Sequence, residues 1–180
     1  MKEDLTREIV LGTGVSAVLE GRTVKIKGPK GEVKRVVLHP RILIEIVPGK
    51  IILRAVKATK REKTVMGSYE SHFQNSAKGV VEPHLYKLKV CSGHFPMSVT
   101  VSGTECTIKN FLGEAVPRRV ELLAGSDVKV NGTEITVVSC DKEIAGQNAA
   151  KIESLCRITN RDRRIFQDGC YIIHKAGKDI

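Results

Sequence analysis

Shifted against itself by 82 residues, the chain repeats: SAVLEGRTVKIKGPKGE (residues 16–32) falls over SVTVSGTECTIKNFLGE (residues 98–114). Six of the seventeen positions are identical, namely Ser16/Ser98, Gly21/Gly103, Ile26/Ile108, Lys27/Lys109, Gly31/Gly113 and Glu32/Glu114, and pairs such as Leu19/Val101 are similar. A repeat constrains the fold more than any single propensity, because whatever one copy folds into, the other must fold into as well. Each copy reads as alternating strand, tight turn, alternating strand; in the first, Val15, Ala17 and Leu19 precede Glu20-Gly21-Arg22, and Val24 and Ile26 follow it. Glycine at positions 21 and 103 supplies the positive φ that such a turn requires. A loop ending in glycine comes next, Gly28-Pro29-Lys30-Gly31 in one copy and Asn110-Phe111-Leu112-Gly113 in the other, and both lead into a further strand.

The correspondence continues downstream. Apolar runs at 42–47 and 51–56 flank Pro48-Gly49 and precede a helical stretch at 62–78; runs at 127–130 and 134–138 flank Asn131-Gly132 and precede a helix at 141–155. In that second helix Ile144, Gln147-Asn148, Lys151-Ile152 and Leu155 recur at helical spacing, and Ala149-Ala150 lets it lie close to a sheet. The break between copies falls near 79–83, and a strand at 85–90 opens the second half. The expected fold is therefore α+β, with two tandem duplicated domains at 1–81 and 82–180, each a small, mainly antiparallel β-sheet packed against one α-helix. With no Trp, three Tyr and four Phe, the cores fall to Val, Ile and Leu, which suits small sheets backed by a helix. Domains of this size bury only about two-thirds of their unfolded surface, so each is marginal alone and gains from a large partner covering one face.

Charge names the class of partner. The 180 residues hold 30 Lys+Arg against 20 Asp+Glu, a formal charge of +10, which is the footprint of a protein that meets a polyanion. The excess is uneven: 16 basic against 8 acidic side chains in residues 1–81, and 14 against 12 in 82–180. An anionic membrane would attract the same charge, but no apolar stretch approaches the roughly 18–20 residues of a spanning helix. The amino end MKEDLTREIV is interrupted by acids and lacks the apolar region of a signal peptide, which points to a soluble, cytosolic chain. Five widely spaced cysteines without a CxxC pair fit neither a disulfide framework nor a zinc ribbon. Cys91-Ser-Gly-His94 has a permissible ligand spacing but no second pair, and structural zinc needs four ligands. The expectation is buried thiols acting as small hydrophobes, with no metal and no cofactor.

Three basic segments are candidates for contact with RNA. Lys25, Lys27 and Lys30 cluster at a hairpin end beside glycines that permit close backbone approach, although a solvated turn has the same composition. Residues 57–63 place Lys57, Lys60, Arg61 and Lys63 ahead of or within the first turn of a helix, a poor position for the helix dipole that an external anion would relieve. Simple solvation explains such a run slightly better, since surface charge runs usually mean only that. Arg157, Arg161, Arg163 and Arg164 lie within eight residues, mixed with Thr159, Asn160 and Asp162. Arginine favours bidentate phosphate and base-edge contacts. Phe166 and Tyr171 are placed to stack on unpaired bases, while Phe166 also suits a core anchor. No Walker motif, H-E-x-x-H, G-x-S-x-G or dinucleotide fingerprint is present, and the five histidines sit in scattered contexts. No catalytic residue and no small-molecule substrate are expected.

The strings VKIKGPKGEVKR, HFPMSVTV, IKNFLGEAVPRR, DKEIAGQNAAKIE and ITNRDRRIFQDGCYI resemble large-subunit ribosomal protein six in its archaeal form, whose eukaryotic relative is ribosomal protein nine of that subunit. The resemblance runs in order from about residue 9 to 174. It implies a structural constituent of the cytoplasmic ribosome, with large-subunit rRNA and neighbouring ribosomal proteins as partners. The protein would lie near the sarcin–ricin loop and the translation-factor site, and the C-terminal domain would make the principal rRNA contacts. On this chain those contacts map to Lys109, Asn110, Arg118 and Arg119 in the 110–119 loop and to Arg157, Asn160, Arg161, Arg163 and Arg164 in the tail. The competing reading of the same residues is a free-standing RNA-binding or RNA-chaperone protein.

Overall fold

The computed structural model describes residues 3–180. The chain divides into two compact units, one ending at Pro83 and the other running His84–Ile180.

In the first unit β1 (Glu3–Val10) precedes β2 (Ser16–Glu20), β3 (Thr23–Gly28), β4 (Gly31–Val36), β5 (Leu43–Val47), β6 (Lys50–Ala58) and helix α1 (Lys60–Gly79). These strands form two three-stranded antiparallel sheets, ordered β1-β6-β5 and β2-β3-β4. Strand alternation explains both: Val24 and Ile26 of β3 and Ile51, Leu53 and Ala55 of β6 are buried, while Lys27 and Arg54 between or beside them face water. Helix α1 turns Met66, Phe73 and Ala77 inward at helical spacing and packs on β1 and β6. Its first turn is capped from within the chain. Glu62, only 6% exposed, accepts hydrogen bonds from the Thr59 hydroxyl and from the Thr59 backbone N–H at 2.8 Å. Those bonds hold its carboxyl well below the usual range, at about 2. The acid therefore answers the dipole among the lysines of 57–63.

The second unit repeats the plan as β7 (His84–Cys91), β8 (Ser98–Ser102), β9 (Glu105–Lys109), β10 (Arg118–Glu121), β11 (Asp127–Asn131), β12 (Glu134–Ser139) and α2 (Lys142–Leu155), and then adds β13 (Gly169–Lys175) and β14 (Lys178–Asp179). Its sheets are ordered β10-β9-β8 and β11-β12-β7-β13-β14. The turn glycines match: Gly21 and Gly103 sit at φ 62° and 60°, in the left-handed region that only glycine enters without strain. Two elements go beyond the sequence reading. Strand β1 is the counterpart of β7, and the C-terminal tail is not merely an appendage, because β13 pairs with β7 along the edge that β1 leaves without a strand neighbour among the described residues.

Helix α2 lies close to its sheet because Ala145 and Ala149, both fully buried, leave room, and Ile152 fills the next turn. Cys106, Cys156 and Cys170 join this core as buried free thiols, with burial pushing Cys106 up to about 11. Among the described residues no three His, Cys, Asp or Glu side chains converge as metal ligands, and no helix is long and apolar enough to cross a membrane.

The glycine-ended loop of the first unit sits against the end of α1. Lys30 donates its backbone N–H to the Val80 carbonyl at 2.9 Å. A Cβ on Gly28 would lie 2.7 Å from Val80 Cγ2 and 2.9 Å from the Val80 carbonyl oxygen. Gly28→Ala is therefore expected to destabilise the first unit by about 1–3 kcal/mol through overpacking against backbone that cannot retreat. Thermal unfolding followed on that unit checks it; an unchanged melting temperature would show that the loop has room.

Candidate nucleic-acid interface

Three loops of the second unit meet at one end of its sheets. They are the turn after β7 (92–96), the loop between β9 and β10 (110–117) and the tail segment between α2 and β13 (156–168). The middle loop bends sharply, with Asn110, Leu112 and Gly113 all at positive φ (58°, 50° and 78°) around a single 3-10 turn. This geometry drives Phe111 into the core at 1% exposure. It also lets Asn110 donate its side-chain N–H to the Pro96 carbonyl at 2.9 Å. Gly113 faces the Phe95 ring so closely that an added Cβ would stand 3.4 Å from it. Loops 92–96 and 110–117 are thereby fastened to each other.

Arg118 fastens the tail to the 110–117 loop. Its guanidinium donates to Glu114 through Nε (2.8 Å) and Nη2 (2.6 Å), while Nη1 donates to the carbonyls of Leu155 (2.7 Å) and Arg157 (3.1 Å). It lies over the Phe111 ring at 4.3 Å. The bidentate pair raises the Arg118 pKa and, outweighing burial, lowers that of Glu114, with Arg161 adding a smaller pull. The carbonyl of Leu155, the last residue of α2 and so without an intrahelical partner, is thus satisfied by a side chain that also holds Arg157 just beyond the helix. Arg118, a candidate RNA contact, has its guanidinium engaged within the protein, where it positions the loop.

In the tail, Asp162 organises a tight turn. Its carboxylate accepts from the Arg164 backbone N–H (2.9 Å) and pairs with the Arg164 guanidinium (2.8 Å), while its carbonyl accepts from the N–H groups of Ile165 (3.1 Å) and Phe166 (2.9 Å). Hydrogen bonds from Arg164 hold the Asp162 carboxyl below its usual range. Asn160, at φ 58°, reverses the chain just before the turn. Phe166 is half-buried, with the Arg161 guanidinium 4.9 Å from its ring centroid and the His94 ring stacked on it.

Lys109, Arg119, Arg157, Asn160, Arg161, Arg163 and Arg164 are all exposed, the first two on the strands that flank the middle loop and the other five in the tail. Arg119 lies 3.7 Å from Glu105, and Arg164 keeps nine-tenths of its side chain in solvent despite its ion pair. Lys25, Lys27 and Lys30 belong to the first unit. There Lys25 is half-buried and paired with Glu20, and Lys27 and Lys30 are exposed at the loop that leans on Val80. Sequence reasoning missed His94, Glu114 and Asp168 as parts of the site. Nothing local marks His94 and Asp168, which pair with each other across 74 residues, whereas Glu114 pairs with Arg118 only four residues on.

A family model described as "Ribosomal protein L6" matches residues 11–82 and again 95–169. The chain is 41% identical over 174 residues to "Large ribosomal subunit protein uL6" of Methanococcus vannielii, covering 97% of this chain and 96% of that protein. It is 42% identical over 176 residues to the protein of the same name from Methanosarcina mazei, covering 98% of this chain and the whole of that one. The family model falls on the two halves that the internal repeat and the two structural units already separate. The chain belongs to the ribosomal protein L6 family.

Proposed function

We propose that this protein is a structural constituent of the large ribosomal subunit that docks on large-subunit rRNA near the sarcin–ricin loop and the translation-factor site, working in the cytoplasm beside neighbouring ribosomal proteins. The observation that carries the reading is the three-loop surface of the second unit. It holds Lys109, Arg119, Arg157, Asn160, Arg161, Arg163 and Arg164 on a backbone that Asn110, Arg118 and Asp162 fix internally. Cations held in this way meet phosphates without first being ordered, which limits the entropy lost on binding. The shallow minor groove of A-form RNA suits recognition by shape and phosphate position over base sequence. In this reading residues 82–180 carry the main rRNA contacts. Residues 1–81 add a second contact through Lys25, Lys27 and Lys30, so that one duplicated scaffold holds two rRNA regions.

The relatives named as large ribosomal subunit proteins support the assignment along nearly the whole chain. Sedimentation through a high-salt gradient tests it. The protein is expected to stay with large subunits, whereas release into the soluble fraction would favour a free-standing RNA chaperone and overturn the ribosomal reading.

A further inference from the structure

The arginines of the tail are exposed, yet the segment that carries them returns to one buried carboxylate. Asp168 is 4% exposed, immediately before β13. Its Oδ1 accepts the backbone N–H groups of Gly93 and of His94, the latter at 3.0 Å, and its Oδ2 accepts the His94 ring Nδ1–H at 2.6 Å. Burial alone would raise its pKa; these hydrogen bonds outweigh that and hold the group ionised. The His94 ring, fixed at Nδ1, presents its face to Phe166, with ring centroids 4.7 Å apart and planes 27° apart. Phe166 in turn carries the Arg161 guanidinium 4.9 Å above its ring. Carboxylate, imidazole, phenyl ring and guanidinium therefore form one continuous column from the buried end of the tail to its exposed tip.

We propose that Asp168 and His94 are positioning residues of the rRNA interface, a latch that sets the tail at 161–167 in its RNA-binding form by fixing the ring on which Phe166, and through it Arg161, is stacked. The inference rests on the rRNA-docking reading above. Both latch residues act through others, since Asp168 is buried and the His94 ring, although exposed, is engaged at Nδ1 by Asp168 and on its face by Phe166. The physical reason for a latch is the composition of the segment. Residues 157–165 are exposed except for Ile158, so the run has almost no core of its own to order it. Arg118 holds it at its start, the Asp162 turn in its middle, and the Asp168–His94 pair and the Tyr171 hydroxyl on the Gln167 carbonyl at its end. Of these, the Asp168–His94 pair reaches Arg161 through a stacked aromatic.

The test uses the full chain with three substitutions. His94→Leu removes both the hydrogen bond and the flat face, His94→Phe keeps the face alone, and Asp168→Asn keeps the shape and the backbone acceptor but removes the charge. Two readouts are taken: the ¹H–¹⁵N heteronuclear NOE of the amides at 161–167, which needs no RNA, and the salt dependence of affinity for a large-subunit rRNA fragment. His94→Leu is expected to lower the NOE across 161–167 while leaving the amides of β12 and α2 unchanged. It should weaken rRNA binding about tenfold and to reduce the slope of log K against log salt by about one, as Arg161 ceases to contact phosphate. His94→Phe should recover most of the NOE and the slope, and Asp168→Asn should fall between the two. A His94→Leu protein with wild-type NOE values, or one that loses affinity with an unchanged salt slope, overturns the latch. If the wild-type chain itself fails to bind the fragment, the rRNA reading fails instead, and the NOE values alone then decide whether the column orders the tail.

Discussion

Replacing Arg161, Arg163 and Arg164 together with alanine is expected to leave the second unit folded and to weaken its binding to large-subunit rRNA by about two to three orders of magnitude. Each charge-assisted hydrogen bond contributes about 1.5 kcal/mol at the low end of its range, so three lost contacts amount to roughly 4 kcal/mol, and 1.4 kcal/mol is tenfold in affinity. The fold should survive because all three side chains are exposed and none contributes to the core of that unit. The internal losses are the pair between Arg164 and Asp162, an exposed ion pair of the kind worth little to stability, and the contact of the exposed Arg161 guanidinium with the Phe166 ring. Filter binding across a salt series separates the electrostatic part: the slope of log K against log salt should fall by about three. In cells the triple variant should fail to enter large subunits. Normal incorporation would move the interface away from the tail.

Asn148→Leu should produce the largest loss of stability outside the apolar core. Asn148 is fully buried on α2 and uses its whole amide. Its Oδ1 accepts from the Leu123 N–H at 2.8 Å, and its Nδ2 donates to the Leu123 carbonyl at 2.9 Å and to the Ser126 hydroxyl at 2.7 Å. Leucine fills the space but answers none of these groups, and each polar group left without a partner costs about 1–3 kcal/mol. Three such groups at the low end of that range total about 3 kcal/mol, which corresponds to a fall of roughly 12–24 °C in the melting temperature of a unit this size. Differential scanning calorimetry gives the answer directly; a shift under about 2 °C would mean that water replaces the amide without loss. The effect should reach binding as well, because Asn148 ties down the segment after β10, the strand that begins with Arg118 and Arg119.

The parts of this protein that its sequence announced are those whose signals are local. Gly21 and Gly103 mark turns by themselves, the alternation around Val24 and Ile26 marks a strand by itself, and the duplication doubles every such signal. Strand β1 stayed hidden because one of its inward positions is Arg7, paired with Glu70 on α1, so the apolar alternation of Leu5 and Ile9 is broken by a charge. Strand β13 stayed hidden because its role depends on pairing with β7 far back in the chain. The interface divides in the same way. Its arginines were legible as a charge cluster, whereas the groups that hold them were not. Arg118 reads as one more cation until the Leu155 and Arg157 carbonyls come within its reach, and Asp168 reads as a surface acid until folding buries it against His94. Charge in the sequence marks the candidate contacts, and only the folded chain distinguishes the side chains left exposed from those that hold the loops.

Ultraviolet crosslinking of assembled large subunits, with mass spectrometry of the peptides that retain nucleotides, tests the central claim most directly. The account predicts adducts to large-subunit rRNA on the peptides that carry Lys109–Arg119 and Arg157–Arg164, and more of them there than on the peptide with Lys25, Lys27 and Lys30. Adducts confined to the first unit, with both segments of the second unit clean, would contradict it.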